Sequence, residues 1–172
     1  DLGAEKFLNI KCASAGLSPK CVVLVATIRA LRHHGGSPKE EYNTPSVDRV
    51  EKGFVNLEKH IENIRKFNIE PVVAINSFIS DTDDEVNLIK SKCSALGVHA
   101  VVSRGWAEGG NGTQDLAKAV ADVIEHKAAE FKPLYNWNTP VKDKIEKIAK
   151  EIYGADGVNF DNKAKLNLRR ID

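Results

Sequence analysis

The sequence predicts an α/β fold of the doubly wound kind, a mainly parallel sheet flanked by helices. Short apolar runs rich in β-branched residues recur along the chain, and apolar stripes at helical spacing separate them. The resulting β-α-β-α-β-α alternation demands crossover connections, which join parallel strands in a right-handed sense.

The first strand is predicted at Cys21 to Thr27, a run of the type buried on both faces of a parallel sheet. Pro71 to Phe78 repeats the pattern, and Val98 to Ser103 is a shorter third run that also ends in polar residues. Between the first two, Phe54, Leu57, Ile61 and Ile64 mark one face of a helix. Val86, Ile89, Cys93 and Leu96 copy that spacing. Asp81-Thr82-Asp83-Asp84 offers capping oxygens and first-turn negative charge before it, and Gly97 a stop after it. Leu116, Val120, Val123 and Ile124 predict a helix after the third strand, and Val141, Ile145, Ile148 and Ile152 a last one. That last helix should open with Thr139 as cap and Pro140 at its first position, and close at Gly154. The stretch from His33 to Ser46 reads as the one long irregular loop, and 159–172, charged and poor in apolar residues, as a connector.

At 172 residues the chain is about one domain long, or one generous piece of a larger protein. Its 42% hydrophobic and 28% charged residues suit a globular core and argue against wholesale disorder. Twenty-five Lys and Arg against 24 Asp and Glu leave a net charge of +1, without the excess that non-specific nucleic-acid binding draws on. No apolar run approaches the roughly 20 residues that span a bilayer. The start at Asp1 carries no signal-peptide pattern, and with no Met anywhere it suggests a processed or cut product. Cys12, Cys21 and Cys93 form no C-x-x-C pair and leave one thiol over under any pairing, which favours a reducing, cytoplasmic setting.

Ligands of open parallel sheets bind beyond the carboxyl ends of the strands, so chemistry is sought there. The first strand leads to Thr27, Arg29 and His33-His34-Gly35-Gly36, the second to Asn76 through Thr82, the third to Ser103 through Gly112. Phe78 and Trp106 fall on neighbouring loops, where two aromatic faces would hold a flat heteroaromatic ring. A Phe or Trp in that position also commonly closes the end of a core, so both readings stand. Gly109-Gly110-Asn111-Gly112 precedes a helix, as phosphate-binding glycines do, yet equally suits a tight strand-to-helix turn. No Gly-Lys dipeptide occurs, so there is no Walker A loop and ATP chemistry is not completed by these residues alone. His33 and His34 lack companions at metal-ligand spacing and read as surface residues, while Arg29 would hold an anion or pair with an acid.

Several blocks in order then resemble one family: Asp1-Leu-Gly-Ala-Glu-Lys-Phe7, Val25-Ala-Thr-Ile-Arg-Ala-Leu31 with His34-Gly35-Gly36, Asn56-Leu-Glu-Lys-His-Ile-Glu-Asn63, Val73-Ala-Ile-Asn76, Trp106-Ala-Glu-Gly-Gly110 and Ile148-Ala-Lys-Glu-Ile-Tyr-Gly-Ala-Asp-Gly157. Together they look like formate–tetrahydrofolate ligase, from Asp1 to about Phe160. The resemblance implies a P-loop NTPase-like, Rossmann-like architecture and an incomplete, middle piece of a larger enzyme. On it, 1–158 is an α/β domain forming the folate pocket and part of the nucleotide pocket. It further implies an ATP-dependent ligase that makes 10-formyltetrahydrofolate from formate and tetrahydrofolate through formyl phosphate, with magnesium, activation by a monovalent cation, and assembly as a homotetramer. The alternative is a non-catalytic remnant that keeps folate or subunit binding.

Carried over by this resemblance, the family's folate-stacking pair falls on Phe78 and Trp106, with Ile79 and Val102 adding apolar contacts, and Gly3, Ala4 and Asn76 fall on the nucleotide pocket. Bacterial members usually read Phe-Pro-Thr-Asp-Thr after the first aromatic. Here the loop reads Phe78-Ile79-Ser80-Asp81-Thr82, departing at Ile79 and Ser80. No catalytic residue and no metal ligand is carried onto this chain.

Overall fold

The structure, a computed structural model, describes residues 3–127 and 130–171. Asp1 and Leu2 of the first resembling block and Asp172 of the charged tail lie outside the described residues. Along the chain run α1 (4–15), β1 (Val22–Ala26), α2 (Ile28–His34), α3 (Val47–Arg65), β2 (Pro71–Asn76), α4 (Asp83–Ala95), β3 (His99–Ser103), α5 (Gly105–Glu108), α6 (Gln114–His126), α7 (Val141–Glu151) and α8 (Asn162–Ile171). They divide into two compact units, one of Pro19–Glu130 and one of Asp1–Ser18 with Phe131–Asp172.

The Pro19–Glu130 unit holds the sheet, three parallel strands in the order β1-β2-β3. The alternation of strands and helices read from the sequence is thus an α/β architecture. Register places Leu24 beside Val73 and Ala100, and Ala26 beside Ile75 and Val102, so these six share one face. They form a core with Val50, Phe54, Leu57 and Ile61 of α3 and Val86, Ile89 and Cys93 of α4. The apolar stripes of α3 and α4 therefore point where their spacing predicts. Burial of each large aliphatic or aromatic side chain contributes about 1.5–3 kcal/mol against leaving it in water.

Helix α4 has clear ends. Thr82 accepts the Glu85 N–H while the Glu85 carboxylate accepts the Thr82 N–H, a reciprocal capping box. At the other end Gly97 takes φ +69°, so Val98 N–H reaches Cys93 O at 2.9 Å and Gly97 N–H reaches Ser94 O at 2.9 Å.

Four expectations are corrected. β2 is buried on both faces, but β1 is not: Val25 is 67% exposed, on the sheet face where α6 packs against β2 and β3. The loop expected from His33 to Ser46 begins two residues later, because Ile28–His34 is helical, capped by Thr27 accepting the Ala30 N–H at 3.1 Å, and Lys39–Glu41 forms a short 3-10 turn within it. The seven residues of Ile28–His34 are too few for a periodic signal, and only Ile28 and Leu31 mark the helix's apolar side. In α6 Val123 is buried but Ile124 is exposed, since adjacent helical residues lie about 100° apart. In α7 Pro140 is the cap residue and Val141 the first helical one, with no capping bond from a side chain.

In the other unit, α1 contains a π-helical stretch, Phe7–Cys12, between Ala4–Lys6 and Ala13–Ala15. Asn9 accepts the Leu134 N–H at 2.8 Å, and the Tyr153 hydroxyl donates to Glu5 at 3.3 Å. Along α7 the apolar stripe is half-covered: Ile152 is buried while Ile145 is exposed. Part of the expected connector forms α8, whose first turn Asp161 caps by accepting the Ala164 N–H at 2.6 Å. Among the described residues no helix is long and apolar enough to cross a membrane.

Candidate functional site

The register of the sheet decides the site. Asn76 lies opposite Ser103, so β2 and β3 end at the same height and their loops leave side by side. Ser77 N–H extends the ladder one step by donating to Ser103 O at 3.2 Å. Phe78 and Trp106 thereby emerge as neighbours, their ring centroids 5.8 Å apart and their planes 19° from parallel. Neither ring plugs the core: Phe78 is 41% and Trp106 53% exposed. The indole Nε1–H donates to Ser77 O at 2.6 Å, tying one ring to the loop that carries the other.

The Phe78 loop is a tight turn. Asp81 N–H donates to Phe78 O at 3.0 Å, and the Asp81 carboxylate accepts the Phe78 N–H at 2.7 Å. Ile79, at its tip, is 91% exposed. Beneath lies a fully buried ion pair, Arg32 of α2 with Glu85 of α4, at 2.8 and 2.6 Å through two parallel hydrogen bonds. Burial pushes the Glu85 carboxyl up, but donation from Arg32, the Ser46 and Thr82 backbone N–H groups and the Thr82 hydroxyl outweighs it and leaves the pKa at about 2.

On the Trp106 side the glycine-rich turn packs against its own strand end. Arg104 N–H donates to Gly112 O at 3.0 Å, and a Cβ on Gly112 would come within 2.6 Å of the Arg104 carbonyl oxygen. Gly109 sits at φ +57°, ψ −138°, a region for glycine alone. Close backbone packing accounts for Gly112 and the backbone conformation for Gly109, as the tight-turn reading has it. Gly112→Ala is expected to lower stability by about 1–3 kcal/mol and to shift Trp106 emission, measured by urea unfolding followed through indole fluorescence. An unchanged midpoint and spectrum would show that the turn is loosely packed.

Between the two loops opens a cleft of about 870 Å³ at the outer edge of β3, within the usual range for small-molecule sites. Phe78, Ile79, Val102 and Trp106 all line it, with Lys90, Arg104, Asp83 and Asp115 supplying charge. Asn76 ends β2 without lining this cleft, and Gly3 and Ala4 open α1 in the other unit. Among the described residues no acid pairs with Arg29; its guanidinium lies 5.7 Å from the centre of the Tyr42 ring, whose hydroxyl is 2.6 Å from His33 Nδ1.

A family model described as formate–tetrahydrofolate ligase matches residues 1–172. The chain belongs to the formate–tetrahydrofolate ligase family. The family acts as an ATP-dependent ligase of formate and tetrahydrofolate, in folate-linked one-carbon metabolism, and its P-loop-like α/β architecture agrees with the parallel sheet found here. Formate, tetrahydrofolate and ATP are the family's substrates.

Sequence reasoning places Phe78 and Trp106 on neighbouring loops, as the structure does, but does not reach the buried Arg32–Glu85 pair. A lone arginine and a lone glutamate 53 positions apart read as solvated charges, and only the capping pattern Thr82-x-x-Glu85 hinted at one of them.

Proposed function

We propose that this chain forms the tetrahydrofolate-binding wall of a formate–tetrahydrofolate ligase that makes 10-formyltetrahydrofolate through formyl phosphate. The near-parallel Phe78 and Trp106 rings beside an 870 Å³ cleft carry this reading. A flat ring held between two others needs about 7 Å between the outer centroids, two contact distances of about 3.5 Å. At 5.8 Å the pair must widen by about 1 Å. Trp106 is anchored through its indole N–H, so the Phe78 ring is the one that swings. Ile79 and Val102 then contact the edge of the bound ring, and the nucleotide contacts that the family resemblance puts at Gly3, at Ala4 and at Asn76 belong to the same reading. The 1–158 portion supplies these contacts, and 159–172 is read as a connector that includes the helix Asn162–Ile171.

The chain's own contribution to bond formation is positioning: the stacked ring presents the folate amine to the acyl group, and restricted orientation lowers the barrier. Among the described residues no group of three His, Cys, Asp or Glu is arranged to hold a metal ion. Cytoplasmic location and homotetrameric assembly belong to the same reading.

The test is a titration of the 172-residue protein, carrying Trp137→Phe so that Trp106 alone reports, with tetrahydrofolate. Saturable quenching is expected, with no 10-formyltetrahydrofolate formed when ATP and formate are added. Absence of binding refutes the folate wall, and turnover would place the bond-making groups within these residues.

A further inference from the structure

We propose that the buried Arg32 guanidinium is a positioning residue for the aromatic pair, fixing through Ser80 and Asp81 the turn from which Phe78 projects. The proposal rests on the tetrahydrofolate reading above for its consequence in binding, but on geometry for its mechanism.

Every nitrogen of the guanidinium is engaged. Nε and Nη2 donate to Glu85, Nη1 donates to Tyr42 O at 3.0 Å, and Nη2 also donates to Ser80 O at 3.0 Å and lies 3.5 Å from Asp81 Oδ1. Arg32, Glu85 and the Asp81 side chain are essentially excluded from water. The second Asp81 oxygen accepts the Phe78 N–H at 2.7 Å. A continuous path thus runs from Arg32 through Asp81 to the backbone nitrogen of Phe78, with a parallel strut to the Ser80 carbonyl.

Stability alone does not call for this arrangement, because a buried ion pair is often matched or bettered by apolar residues of equal volume. What an apolar side chain cannot do is aim donors at two loop carbonyls and a carboxylate at once. The planar fork of arginine sets distance and angle together, whereas the ammonium of lysine is a point charge. Phe78 must be near-parallel to Trp106, and a change of turn geometry beneath it would tilt the ring. Ile79 leaves this turn without the fixed φ of a pyrrolidine ring, so its rigidity comes from below.

The experiment compares Arg32→Lys, Arg32→Met and Asp81→Ala with the parent in the full 172-residue chain. Amide hydrogen exchange of Phe78 by NMR reads the turn with no ligand present, and the tetrahydrofolate Kd reads its consequence. Asp81→Ala leaves the Arg32–Glu85 pair intact and is expected to fold. Its Phe78 amide should exchange at least about tenfold faster and its Kd rise about tenfold, the scale of one charged hydrogen bond. Arg32→Lys keeps the charge but not the fork and should fall between parent and Asp81→Ala, a graded rescue that a general loss of stability would not produce. Should Arg32→Met fail to fold, the other two variants decide. Folded Asp81→Ala and Arg32→Lys proteins with the parent's Phe78 exchange, or with the parent's Kd, overturn the proposal. A parent chain that does not bind tetrahydrofolate removes the functional reading, and Phe78 exchange then judges Arg32 by itself.

Discussion

Glu85→Gln lowers the unfolding free energy by about 3–5 kcal/mol at neutral pH, the cost of leaving a buried partner charge unpaired. The side chain is fully buried and accepts from Arg32, from the Ser46 and Thr82 backbone N–H groups and from the Thr82 hydroxyl. Glutamine keeps the shape but presents an NH₂ to a ring of donors, and Arg32 loses its counter-charge. The effect depends on pH in a defined sense. Glu85 has its pKa lowered from 4.5 to about 2 by folding, so its stabilisation is complete above about pH 4.5 and is lost as the pH falls through about 2. That shift is equivalent to about 3 kcal/mol. Urea unfolding of parent and variant at several pH values from 7 to 2 should show the difference between them shrinking below pH 4.5. A difference that stays constant down to pH 2 would mean that the carboxylate is not held as the geometry indicates.

Removing either ring of the aromatic pair should weaken tetrahydrofolate binding by about 10- to 100-fold, since stacking of a planar ring on an aromatic face is worth about 1–3 kcal/mol. Phe78→Ala is the cleaner change: the ring is half-exposed, so overall stability should move by no more than about 0.5 kcal/mol. Trp106→Ala should cost more, because it removes both the larger face and the bond to Ser77 O. Trp106→Phe separates the two, keeping a stacking face while losing the tether. Calorimetric titration of the four proteins measures the series, with affinity expected in the order parent, Trp106→Phe, Phe78→Ala, Trp106→Ala. Unaltered affinity in the two alanine variants would remove the ring pair from the ligand site.

Much of this geometry is legible in the chain. The runs at β1, β2 and β3, the stripe Phe54, Leu57, Ile61, Ile64 and the start and stop of α4 at Thr82 and Gly97 are local patterns. Each is set by steric and solvation preferences of residues a few positions apart, so each is found without knowing what lies across the fold. Phe78 and Trp106 stand out because both lie at the ends of strands, where parallel sheets hold ligands. The short helix Ile28–His34 and the exposure of Val25 on β1 are not legible in this way, one for want of length and the other because burial depends on what is placed alongside.

By itself, then, the order of residues determined the α/β class, the strands, the main helices, the family and the two aromatic side chains of interest. Only the tertiary structure decided that Asn76 aligns with Ser103, that the rings stack within reach of each other, and that Arg32 and Glu85 meet out of water beneath them. The division has one physical origin. Backbone preference and apolar periodicity act over a few residues, whereas register and burial of charge arise from groups dozens of positions apart, whose desolvation and hydrogen bonding take effect only once the sheet has assembled.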